Sequence, residues 1–73
     1  MEHTTNTVAS VAFLAWQREN GLSLSRSGRK LGVSRAMVSA INNGRRRPSL
    51  WLANRIAGLA GVDQLGWDIP IRR

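Results

Sequence analysis

Eight cationic side chains, Arg26, Arg29, Lys30, Arg35, Arg45, Arg46, Arg47 and Arg55, lie between Asn20 and Val62 with no carboxylate among them. The chain's four acids, Glu2, Glu19, Asp63 and Asp68, all fall outside that stretch, against 11 Lys+Arg and a formal charge of +7. Protein surfaces normally intersperse both signs, so a block of one sign points to a polyanion as partner. An arginine offers such a partner a planar fork of donors that matches two phosphate oxygens or the O6 and N7 edge of a guanine. Catalytic chemistry has far less to work with. The carboxylates are scattered, no Ser-His pair is evident, and 73 residues leave little for a substrate cleft, so no enzyme is expected. The absence of cysteine excludes disulfides and thiolate zinc sites. The single histidine, His3, sits in a polar stretch without converging ligands, so neither metal nor cofactor is expected.

The element that must position this chemistry is residues 31–44, a tight turn followed by one short helix. Ser34 suits the N-cap, where its hydroxyl accepts from backbone N–H groups that the first turn leaves unpaired. Asn43 and Gly44 suit the other end, since a left-handed glycine commonly stops a helix. Advancing about 100° per residue puts Arg35, Ala36, Ser39, Ala40 and Asn43 in one sector and Met37, Val38 and Ile41 in the other. A helix enters the DNA major groove only if its outer face carries no bulk that would hold the backbone off the base edges, and two alanines and a serine meet that need. Arg35 then reaches a guanine, Ser39 any base, and Ala36 and Ala40 thymine methyl groups. Small residues on a helix face also serve close helix packing; the surrounding cations favour the groove.

Gly32-Val33-Ser34-Arg35, then Val38-Ser39, Ile41, Asn43-Gly44 and Arg47-Pro48-Ser49, resemble the Cro and phage-repressor (XRE-type, lambda-repressor-like) helix-turn-helix family over residues 13–65. The resemblance implies an all-α, compact five-helix domain, usually a dimer on a partly palindromic operator, with the second and third helices as the motif. It matches Arg35, Ala36, Ser39 and Ala40 to base-facing positions and Asn43 to a phosphate-holding one. Three positions depart from the pattern. Leu24 stands where a phosphate-binding Gln is usual, Gly28 where an Ala marks the helix crossing, and Ser27 where an apolar residue fills the core. Glycine within a helix costs about 0.5–1 kcal/mol relative to alanine, so the second helix is expected to rely on tertiary contacts. The phosphate contact that Leu24 forfeits passes to Arg26 or to the N–H groups at the helix start beside Ser23.

Taken in order, residues 1–7 read as a flexible tail, with Asn6 or Thr5 capping a first helix that stops at Asn20-Gly21. Val8, Val11, Ala12, Phe13, Ala15 and Trp16 form its apolar stripe, with Phe13 and Trp16 as core anchors. Leu22 packs inward, Ser23 or Ser25 starts the second helix, and Arg29 and Lys30 lie on its outer side. Arg45, Arg46 and Arg47 form a loop expected to hold DNA phosphates, with one arginine entering a narrow minor groove. Nuclear localisation, the rival reading of such a run, is set aside because the resembled family is chiefly prokaryotic and viral. Ser49 caps a fourth helix whose Leu52, Ile56 and Leu59, with Val62 beyond it, close the core, while Trp51 lies on another face. Asp63 caps a last turn holding Leu65 and Trp67, and Pro70 bars further helix. The domain is thus expected over residues 8–67, with residues 68–73 a non-helical tail. Trp67, Ile69 and Ile71 find little to bury against and, with Trp51, are candidates for a dimer contact; the alternative is that the tail folds back on its own domain.

The apolar run of residues 8–16 lacks the basic flank of a secretory signal, since no Lys or Arg precedes Arg18. The run of residues 50–62 holds Asn54 and Arg55 and is shorter than the 18 or so residues of a membrane span, so no membrane partner is expected. A membrane-active peptide would need its cations opposite an apolar face, whereas here they cluster around the turn. The expected partner is double-stranded DNA, bound by a homodimeric repressor in the cytoplasm or nucleoid of a bacterial or phage-infected cell. The alternative is an antitoxin-like module that also binds a small protein.

Overall fold

The computed structural model describes residues 6–71, in which four α-helices are followed by a 3₁₀ turn: α1 (Val8–Glu19), α2 (Leu24–Leu31), α3 (Arg35–Asn42), α4 (Leu50–Ala60) and the turn Gln64–Asp68. The class is all-α, but the fifth element is one turn with i→i+3 bonds rather than an α-helix. Gly66 N–H donates to Asp63 O at 3.0 Å, and Ile69 N–H to Gly66 O at 3.3 Å. Pro70 disfavours helical backbone at Ile69 and stops the turn there.

Each helix starts on a hydroxyl. Ser23, Ser34 and Ser49 accept from the backbone N–H of Arg26, Met37 and Leu52 at 3.1, 3.1 and 3.3 Å. For α1 the cap is Thr7, not Asn6. Its hydroxyl accepts from Ser10 N–H at 3.1 Å while Thr7 N–H donates to the Ser10 hydroxyl at 2.8 Å, a reciprocal arrangement that satisfies two otherwise orphaned donors. Thr7 also forms an antiparallel bridge with Pro70. Around it Val8 N–H donates to Ile69 O at 2.8 Å and Ile71 N–H to Asn6 O at 3.0 Å. Asn6 and Thr7 therefore belong to the folded unit rather than to a free tail, and so do residues 68–71. His3, Thr5 and the rest of the expected tail, with Arg72 and Arg73, lie outside the described residues.

All four helices feed one core: Phe13 from α1, Leu31 from α2, Val38 and Ile41 from α3, and Leu52 and Ile56 from α4, closed by Val62 and Trp67. Phe13 is its centre, stacked on Trp16 at 6.0 Å between ring centroids and met edge-on by Trp67 at 6.3 Å. Trp67 is only 5% exposed, so it is spent in its own core and offers little surface for the dimer contact expected of it. The tail folds back because Gly66 lets the turn lie directly on α1. A Cβ at Gly66 would come within 3.0 Å of both Cβ and N of Ala9.

Two apolar assignments change. The buried side of α1 is Ala9, Ser10, Phe13 and Gln17, with Trp16 partly buried, while Val8, Val11, Ala12 and Ala15 face outward. In α4 the core row runs through Leu52, Ala53 and Ile56 to the partly buried Ala60, leaving Leu59 exposed.

The crossing of α2 and α3 rests on glycine. Gly32, at φ 78°, ends α2 in the left-handed region that side chains avoid. Gly28 meets the turn so closely that a Cβ there would lie 2.6 Å from Val33 O and 3.2 Å from the carbonyl carbon of Ser34. Beside it Ser27 is fully buried, and its hydroxyl has no hydrogen-bond partner among the described residues.

Helix propensity alone would make Gly28→Ala stabilising. The backbone contact reverses the sign, and a loss of about 1–3 kcal/mol is expected in urea denaturation. Ile41→Ala empties a fully packed site and should cost about 2–5 kcal/mol in the same measurement; a negligible change would mean that α3 is rotated about its axis.

Candidate nucleic-acid interface

Burial of Val38 and Ile41 fixes which way α3 faces. Arg35, Ala36 and Asn43 are exposed and Ser39 and Ala40 partly buried, so the small face opens to solvent at both ends of α3. Asn43 Nδ2 approaches the Ser39 hydroxyl at 3.4 Å, which leaves the serine's own proton free to donate outward. At the far end, Arg45 N–H and Arg46 N–H both donate to Ala40 O, at 2.9 and 3.3 Å. These bonds wrap the arginine loop around the C-terminus of α3, where the helix leaves carbonyls unpaired.

The cations divide into groups with different surroundings. Arg35 extends from the N-terminal end of α3, and Arg45 and Arg46 are exposed beyond its other end. Arg26 is exposed at the start of α2, beside Ser23, whose hydroxyl is already occupied by the Arg26 N–H. Arg55, counted by sequence among the uncompensated charges, instead faces the protein. Its Nε donates to Leu31 O at 3.0 Å and its Nη2 to Lys30 O at 3.1 Å, while the guanidinium lies 5.6 Å from the centre of the Trp51 ring. It thereby satisfies the C-terminal carbonyls of α2, a favourable place for a cation. Arg47 likewise has a counter-charge, forming an ion pair with Asp68. The block between Asn20 and Val62 is therefore not wholly without compensation, because the 3₁₀ turn brings an acid from outside it.

One positioning contact escaped sequence reasoning. Gln17, 2% exposed in α1, donates to Asn42 Oδ1 at 2.8 Å and receives Asn42 Nδ2 on its Oε1 at 3.0 Å. A further bond to Phe13 O at 3.3 Å completes the buried amide. This pair ties the last residue of α3 to the core helix. Its signal was Gln17 standing four residues after Phe13, on a row that has to be buried. Of the proposed dimer residues other than Trp67, Trp51 is 56%, Ile69 49% and Ile71 42% exposed.

Two short helices joined by a glycine turn, the second with a bare face flanked by arginines, define a helix-turn-helix domain, a DNA-binding class. A family model described as a helix-turn-helix domain matches residues 11–65, and the chain belongs to that family. No curated protein matches the chain significantly. No helix among the described residues is long and apolar enough to cross a membrane.

Asn42→Ala would strand the buried Gln17 carbonyl oxygen and should lower stability by about 1–3 kcal/mol. Replacing both amides by leucine removes donor and acceptor together, so chemical denaturation of that double variant should show a smaller loss than the single one.

Proposed function

We propose that this protein is a sequence-specific regulator of the Cro and phage-repressor (XRE) type, which covers a promoter as a homodimer and so represses it. The observation that carries this reading is the small outward face of α3, with Arg35 exposed at one end and the arginine loop at the other. Such a helix has the reach and the small outer side chains for the major groove, and its flanks offer donors to the phosphates on either side. Arg35 is the guanine reader, Ser39, Ala36 and Ala40 are the shorter base contacts, and Asn43, Arg45, Arg46, Arg47, Arg26 and Ser23 hold the backbone. Repression in this scheme needs neither catalysis nor a cofactor, since occupancy of the site excludes its competitors. With a single long side chain on the reading face, sequence-dependent deformability of the duplex supplies part of the selectivity. The cytoplasm or nucleoid of a bacterial or phage-infected cell is the setting in which it would act.

The homodimer is favoured by Trp51, Ile69 and Ile71, large apolar side chains left about half exposed. The same residues would serve a small protein partner in the antitoxin-like alternative, which co-purification of a second small chain would reveal. Selection of bound duplexes from a random pool tests the main reading directly, because a two-fold symmetric motif is what a dimer of this domain requires. On the selected duplex, Arg35→Ala should cost about 1–3 kcal/mol and relax one position of the site. An equal loss on random duplex would remove Arg35 from base reading.

A further inference from the structure

We propose that Asp68 is an internal stand-in for a DNA phosphate: its carboxylate holds the Arg47 guanidinium in the free protein and gives it up to a phosphate when duplex binds. This rests on the DNA-binding reading and adds a regulatory element to the same surface.

Asp68 is not on a loose tail. The preceding residue, Trp67, is anchored against Phe13, and the carbonyl of the following one, Ile69, accepts from Val8 N–H at 2.8 Å. The backbone is thus held on both sides, which keeps the carboxylate within reach of the arginine loop at the end of the reading helix. There it shares a recess of about 340 Å³ with Ile41, Gly44, Arg45, Arg46 and Arg47. Within this recess it forms the ion pair with Arg47, and the two side chains are 61% and 66% exposed. An exposed pair is open to exchange, since water and a competing anion reach both groups and the contact adds little to folding. The competitor is chemically matched: a carboxylate and a phosphate both present two oxygens to the guanidinium fork. Asp63 has a different task, its carboxylate capping the turn by accepting from Leu65 N–H at 3.0 Å.

Three consequences follow from this exchange. Binding to every duplex, whatever its sequence, is weaker than the cations alone would give. The salt dependence is shallower, because Arg47 already carries a counter-charge before it meets DNA. Removal of the carboxylate acts through Arg47 and not through net charge alone.

The test is a double-mutant cycle on the full chain, with fluorescently labelled random-sequence duplex titrated at several salt concentrations. Asp68→Asn keeps the size of the side chain and leaves Trp67 in place; a melting curve confirms that the variant is folded. It should bind random duplex roughly three- to tenfold more tightly, with a log K against log salt slope steeper by up to about 0.9, the increment for one phosphate contact. In an Arg47→Ala background the same substitution should change affinity by less than about twofold, the slope increment being lost with the contact it counts. Equal tightening in both backgrounds would reduce Asp68 to a bystander charge and overturn the proposal, as would no tightening in either. Failure of the parent chain to hold any duplex at low salt would overturn the DNA-binding reading itself, an outcome separate from the other two.

Discussion

The backbone contact between Gly28 and the Val33-Ser34 segment is the constraint on which this structure depends. It brings α2 and the start of α3 closer than any side chain would allow, and a methyl group there would collide with a carbonyl that cannot move independently of the turn. From this crossing the rest follows. Val38 and Ile41 are turned into the core beside Leu31 and Phe13, and the small residues of α3 are left on the far side. An exposed reading surface is thus the complement of a buried packing surface, both fixed by a single approach of two helices. The helix that makes the approach is locally weak, with a mid-helix glycine and the unpartnered hydroxyl of Ser27 in its buried face. Tertiary contacts and the Arg55 bonds to its last carbonyls hold it.

Electrostatics completes what packing begins, and not every positive charge has the same task. Arg55 is turned inward to carbonyl oxygens and an indole face. Arg47 is held by a carboxylate that the chain delivers from its far end. Arg35 and Arg46 remain on the surface at opposite ends of α3. A count of charges along the chain treats these as equivalent, whereas Arg55 is committed to the chain's own carbonyls and Arg47 sits in an exposed pair that an external anion can reach.

Much of the fold was legible in the sequence because it is locally encoded. Ser34, Ser49 and Asp63 cap the elements they precede, Gly44 adopts the positive φ expected of it, and Val38 and Ile41 share a face by periodicity alone. The misjudged features are long-range ones. The apolar stripe of α1 is broader than the core can accept, and which part of it is buried depends on where the 3₁₀ turn lands. Trp67 looked unpartnered because its partner, Phe13, lies on a helix over fifty residues earlier in the chain. The Gln17–Asn42 pair was not foreseen, because an amide can be buried only when its partner stands opposite it, and this partner is 25 residues away. At the candidate interface the facing of α3 could be read from its pattern, but the engagement of Arg47 and Arg55 could not, since both partners come from other elements.

The lacing of Thr7 and Val8 to Ile69 and Pro70 makes the two ends of the described chain mechanically dependent on each other. Cutting the chain after the 3₁₀ turn would release the amide at the first turn of α1. Damage at one extremity would then travel to the other without passing through the middle of the molecule. A link between Asn6 and Ile71 would instead close a ring whose seam is already held by hydrogen bonds.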